Sequence, residues 1–297
     1  MDHAIPHDHN QMHHHHSHAS HSMHVEGHHL LQVSHLSVGF RMYDPTAPFF
    51  KATRQMVRTI DDLSISVHAG EIVAVVGASG SGKTLLADCI LGLFEPNALV
   101  TGQIWFNGER MDAQALARVR GKAGGISLVP QGVAHLDPLM RVGKNVEGPN
   151  GSPERRRKLF ARYGLSDDVA QCFPHELSGG MARRVLLCCA LMDDPALIIA
   201  DEPTPGLDLD LAVKALEDFR DFANAGGGVM LITHDIELAL RVADRMAVFK
   251  DGTIVEETSV GAFASPNTLR HPFSRALWHA LPEHDFTYQQ PEEDVAC

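Results

Sequence analysis

The feature that most constrains this chain is Gly77-Ala78-Ser79-Gly80-Ser81-Gly82-Lys83-Thr84, which fits the pattern G-x-x-x-x-G-K-[ST] in full. The continuous apolar run Ile72–Val76 precedes it, as in a buried strand, and a helical stretch from Lys83 to about Leu93 follows. Strand, glycine loop and helix in that order make a cradle for phosphates. Glycines let successive N–H groups curl inward, and the helix N-terminus adds its positive dipole end. Lys83 supplies a point charge for the terminal phosphates, and Thr84 offers a hydroxyl to Mg²⁺. A chance lysine in a glycine-rich turn would need neither the flanking strand nor the helix.

The rest of the chain fits around such a loop. Alternating patterns over 31–38 and 63–67 predict strands. The connection between them, residues 41–58, is longer than a hairpin needs. Ala123–Val129, Leu197–Ala200 and Val229–Thr233 read as further buried strands, with helical patterns at Gly180–Met192 and Asp210–Ala225. This alternation predicts an α/β fold with a mostly parallel sheet covered on both faces. Residues 132–180 lack strand signals and carry a basic amphipathic piece, Pro153–Tyr163, so a helical insert is expected there. No internal repeat is visible, which implies one nucleotide unit.

A second acidic element sits downstream. Leu197-Ile198-Ile199-Ala200-Asp201-Glu202 is an apolar strand ending in two carboxylates. Asp201 is expected to reach Mg²⁺, directly or through water. Glu202, facing the other way, is the candidate general base for an attacking water.

Composition narrows the setting. The net charge of −12 disfavours a general nucleic-acid binder, which needs a basic face. The five cysteines have neither CxxC spacing nor a disulfide rhythm, so reduced thiols in the cytosol are expected. No apolar run approaches the ~18–20 residues of a spanning helix, and the N-terminus lacks a signal-peptide pattern. Any membrane work must then go through partner chains.

Pro174-His175-Glu176-Leu177-Ser178-Gly179-Gly180-Met181 closely resembles the signature of the ABC ATPases, in the form seen in the peptide and nickel uptake subfamily. The resemblance runs from residue 30 to about 284. It implies a P-loop NTPase core with an N-terminal antiparallel β subdomain and a helical signature subdomain at about 132–190. The ABC ATPase domain would then cover 30–265, followed by a C-terminal extension at 266–297. Gln131 matches the Q-loop glutamine, implied to contact Mg²⁺ and couple to the membrane subunit. Thr204–Asp208 stands at the D-loop, and His234 matches the switch histidine that senses the γ-phosphate. Ser178, Gly179 and Gly180 are implied donors to the ATP of an opposite subunit. Tyr43, or alternatively Phe40, is the candidate to stack on adenine. His271–Leu277 resembles a segment near the end of the peptide/nickel ATPases.

The chain departs from that subfamily at Ala182 and Arg183 after the signature, and at Pro205-Gly206 in the D-loop. It also lacks the subfamily's late cysteine cluster, so no iron–sulfur centre is expected. The implied partners are a second ATPase subunit (self or paralogue), two membrane permease subunits and an extracytoplasmic solute-binding protein, with no nucleic acid. The implied place is peripheral, on the cytoplasmic face of the inner membrane. On closure, the helical insert would move around Gln131, and Gly132–Met140 would push on a membrane partner.

Residues 1–29 hold twelve of the chain's twenty histidines and few large apolar residues, so they are expected to be a disordered tail. Neutral imidazole suits Ni²⁺ and Zn²⁺, which makes His13, His14, His15 and His16 candidate ligands. Tail and resemblance together point to ATP-driven uptake of nickel or another transition metal, with a peptide or opine importer as the alternative. A non-transport ABC ATPase would call for two nucleotide units, coiled-coil insertions or zinc cysteines. A metallochaperone GTPase would leave the signature unexplained.

Overall fold

The computed structural model describes residues 29–43, 54–78, 80–149 and 151–281, and for Tyr43, Arg54 and Gln55 the backbone alone. Among these residues the strands are, in chain order, β1 (His29–Tyr43), β2 (Arg54–His68), β3 (Ile72–Gly77), β4 (Ala98–Phe106), β5 (Glu109–Met111), β6 (Ile126–Val129), β7 (Leu197–Asp201), β8 (Gly228–Thr233), β9 (Arg245–Lys250) and β10 (Thr253–Ser259). Two sheets result. An antiparallel one runs β2-β1-β4-β5, and a six-stranded one runs β10-β9-β3-β8-β7-β6. In the larger sheet every neighbouring pair is parallel except β9 with β10.

Strand β3 shows why the larger sheet is central. All six of its residues are buried, and successive side chains enter different cores. Val73 and Val75 face the antiparallel sheet and helix α1 (Lys83–Ile90), beside Leu86 and Ile90. Ile72, Ala74 and Val76 face the helical layer. A strand clamped between two apolar layers loses its alternation and reads as a continuous apolar run. Each fully buried Val or Ile there contributes roughly 1.5–3 kcal/mol.

On the helical side, α6 (Leu209–Asn224) begins where the Asp208 carboxylate accepts from the Leu211 N–H at 2.9 Å. Its buried stripe Ala212, Ala215, Leu216, Phe219 and Ala223 has helical spacing. The insert comprises α3 (Val142–Glu147), α4 (Pro153–Arg162) and α5 (Gly179–Met192), with short 3₁₀ turns between. Helices α2 (Ala113–Val119), α7 (Ile236–Val242) and α8 (Pro272–His279) complete the set. The Glu256 carboxylate of β10 accepts from the N–H groups of Arg270 at 2.7 Å and His271 at 3.0 Å. That clasp brings in α8, and Leu269 and Leu281 are buried in the helix-side core. No helix among the described residues is long and apolar enough to cross a membrane.

Several boundaries differ from the sequence expectation: β1 already begins at His29, which pairs with His68, and α1 ends at Ile90 rather than about Leu93. The connection after β1 shrinks from 41–58 to 44–53, because both strands extend into it. Register shifts around Leu36, with positive φ at His35 and Asp62, break the alternation that would have revealed their length. The strand expected at Ala123–Val129 starts only at Ile126. Gly124 turns at φ +69°, and a Cβ on Gly125 would lie 1.9 Å from the Val119 carbonyl oxygen.

Candidate functional site

The glycine loop follows β3 and turns into α1. At its start, β9 passes so close that a Cβ on Gly77 would lie 2.1 Å from the Phe249 carbonyl oxygen. Gly80 and Gly82 take φ of +76° and +109°, which favour glycine. Lys83 is buried, and its Nζ donates to the carbonyls of Gly77 at 3.0 Å and Ala78 at 2.8 Å. Burial pulls its pKa down, opposed by the carboxylates of Glu202 and Asp201. The Ser81 hydroxyl is buried with no partner among the described residues. Ser79 lies outside them.

Asp201 closes β7 opposite the loop. Burial raises its pKa, and the Thr84 hydroxyl, hydrogen-bonded to the carboxylate, works against that rise. Oxygen Oδ1 of Asp201 is buried and unpartnered. An orphaned anionic oxygen beside a hydroxyl suits a hard divalent cation, so the residues fit Mg²⁺.

Glu202 is buried and has φ +48°, a left-handed conformation that is strained for a residue with a Cβ. Its N–H donates to the Ile232 carbonyl of β8 at 2.9 Å, and Arg183 of α5 donates to its carbonyl at 3.3 Å. Its carboxylate meets His234 Nδ1 at 2.8 Å and accepts from the Thr233 hydroxyl at 3.4 Å. The backbone reversal points adjacent carboxylates to different partners: Asp201 to Thr84, Glu202 to His234.

A cavity of about 380 Å³ lies between these elements, lined by Gly80, Gly82, Lys83, Thr84, Leu85, Asp88, Gln131, Asp201 and Glu202. Five polar residues expected from sequence at separate places on the chain thus share one wall. His234 reaches the cavity only through Glu202. Ser178 caps α5, accepting from the Met181 N–H at 3.3 Å, and with Gly179 and Gly180 lies outside the cavity. The side chain of Tyr43 and residues His13 to His16 fall outside the described residues.

Sequence reasoning missed Asp88, Thr233 and the Arg183 contact. Asp88 was within reach of it: it follows Thr84 by four helical positions and so shares its face. Burial raises its pKa too.

Comparison with known proteins agrees with this geometry. A family model described as ABC transporter matches residues 60–205. The oligopeptide transport ATP-binding protein OppD of Lactococcus lactis subsp. cremoris is 34% identical over 275 residues, covering 87% of this chain and 77% of that protein. The dipeptide transport ATP-binding protein DppD of Escherichia coli is 34% identical over 283 residues, covering 90% and 81%. Among solved structures, a dimeric ATP-binding cassette in a post-hydrolysis state bound to ADP and Pi superposes with a TM-score of 0.66. That match has 25% identity and covers 77% of this chain and 98% of that one. With a phosphate loop, two divergent carboxylates and this likeness along most of its length, the chain belongs to the ABC transporter family, as an ATP-hydrolysing, ATP-binding subunit.

Proposed function

We propose that this subunit drives peptide uptake, and that the cavity residues divide the work of hydrolysis among them. The loop N–H groups and Lys83 hold the phosphates of ATP, with Lys83 exchanging its loop carbonyls for phosphate oxygens. Thr84 and Asp201 would hold Mg²⁺, with Gln131 lining the same cavity, and the ion would neutralise phosphate charge. Glu202 takes the proton of the attacking water, while His234 and Thr233 fix its carboxylate. Ser178, Gly179 and Gly180 present donors to the ATP of a second ATPase subunit. Two permease subunits dock at the exposed apolar turn containing Val133, Leu139 and Met140, on the cytoplasmic face of the inner membrane. A solute-binding protein delivers cargo from outside.

The observation that carries the cargo is the likeness, along most of both chains, to proteins named for oligopeptide and dipeptide transport. It favours peptide over the nickel suggested by the histidine-rich segment, which lies outside the described residues. Uptake of labelled di- and oligopeptides and of labelled nickel, in cells with and without this chain, tests the assignment. Peptide uptake should depend on the chain and be lost with Glu202→Gln, which should still bind ATP. Nickel uptake alone responding would overturn the cargo, and near wild-type turnover by Glu202→Gln would overturn the base.

A further inference from the structure

We propose that Arg141 and Asn145 are positioning residues that join the exposed turn 133–140 to the signature turn 173–178. A push on the first then changes how Ser178 and the following N–H groups are presented. The proposal rests on the reading that Ser178–Gly180 meet a phosphate of the opposite subunit.

The exposed end is large and apolar. Leu139 is 89% exposed, and Val133 and Met140 stand out beside it. Such a turn would ordinarily flex independently of its neighbours. Here one side chain spans it. Asn145 Oδ1 accepts from the Asp137 N–H at 2.8 Å, while Nδ2 reaches the carbonyls of Asp137 at 3.2 Å, Met140 at 3.0 Å and Arg141 at 3.3 Å. The carbonyl of Asn145 itself accepts from Cys189 Sγ of α5 at 3.7 Å. The turn is therefore tied to the helix that Ser178 caps.

Arg141 makes the second tie. Its guanidinium donates to the Gln171 carbonyl and lies 4.9 Å from the centre of the Phe173 ring. The next residue, Val142, donates its N–H to the Cys172 carbonyl at 2.9 Å. From Phe173 onward the signature turn is one compact unit. The Phe173 N–H donates to Glu176 Oε2 at 2.6 Å, and the Phe173 ring stacks on His175 with centroids 5.7 Å apart. The Leu177 N–H closes the turn onto the Pro174 carbonyl at 3.3 Å, and Ser178 follows as the cap of α5. An exposed arginine touching a ring by chance would lack this backbone pairing and the parallel route through Asn145.

Hydrogen exchange by mass spectrometry on the full chain tests the tie. Arg141→Ala should speed exchange about fivefold at the amides of 173–181, the loss of roughly one hydrogen bond, and leave 77–90 as in wild type. Arg141→Lys, which keeps a cation over Phe173, should fall between. In turnover assays Arg141→Ala should lower kcat about fivefold with KM for ATP within twofold, because the phosphate loop is untouched. Unchanged exchange at 173–181, equal acceleration at 77–90, or an unchanged kcat would overturn the proposal. If Arg141→Ala does not fold, Arg141→Lys carries the exchange measurement alone. A wild-type chain with no turnover would instead count against the proposed hydrolytic roles, and the exchange result would still decide the tie.

Discussion

Replacing Asp201 by Asn should make the protein more stable and inactive. The carboxylate sits buried with Oδ1 unpartnered, and burial is the main cause of its raised pKa. Attraction to Lys83 is the smallest of the influences on it, so losing that attraction does not offset the relief of desolvation. Asn keeps the size of the side chain and an oxygen for the Thr84 hydroxyl. Replacing a buried charge that Thr84 and Lys83 compensate only in part by a neutral amide should gain about 1–2 kcal/mol. For a domain of this size that is a rise in Tm of roughly 2–8 °C. The gain has a definite pH dependence. Because the folded-state pKa is raised, the wild-type fold binds that proton more tightly than the unfolded chain does. The wild type therefore loses stability as pH rises through the raised value. The variant's advantage should be full at neutral pH, shrink as pH falls through that value, and vanish near the unperturbed carboxylate pKa of about 3.9. Thermal melts of both proteins from pH 7 to pH 4, with ATP plus either Mg²⁺ or a chelator, provide the measurement. Only the wild type should gain a further Mg²⁺-dependent rise. A lower Tm for Asp201→Asn at pH 7, or an equal Mg²⁺-dependent rise in both, would refute this account of the site.

Gly77→Ala should be poorly tolerated, since its Cβ would meet the Phe249 carbonyl oxygen at 2.1 Å. Forcing β3 from β9 should cost about 3 kcal/mol and weaken ATP binding, whereas a melt within about 1 °C of wild type would show that the strands can part freely. Burial pushes the thiol of Cys89 up to about 12 and that of Cys188 well above the usual range, so both should resist alkylation in the folded protein at pH 8 and react at once in denaturant. Rapid labelling of either without denaturant would contradict that burial.

The phosphate loop and the β7 carboxylates were legible because their chemistry is local. Glycines, a lysine and a hydroxyl must follow one another, and a strand buried on both faces reads as an unbroken apolar run. The Asp201–Glu202 pair also hinted that its members diverge. What the sequence does not carry is the left-handed turn at Glu202 that achieves this divergence, nor its contact with Thr233, which depends on β8 lying beside β7. The full lengths of β1 and β2 were hidden by bulges near His35 and Asp62, which move side chains off the period of two. The requirement for glycine at position 77 has two sources, the phosphate and the neighbouring strand, and only the first leaves a motif.

The clasp between Glu256 and the amides of Arg270 and His271 also sets an order of events during synthesis. Glu256 is made and can enter the sheet before its donors exist. Until residue 271 has left the ribosome, the carboxylate must remain in water or be buried without a partner, and burial alone is strongly unfavourable. The last edge of the central sheet therefore cannot lock until after every residue lining the nucleotide cavity, Gly80 to Glu202, has been synthesised.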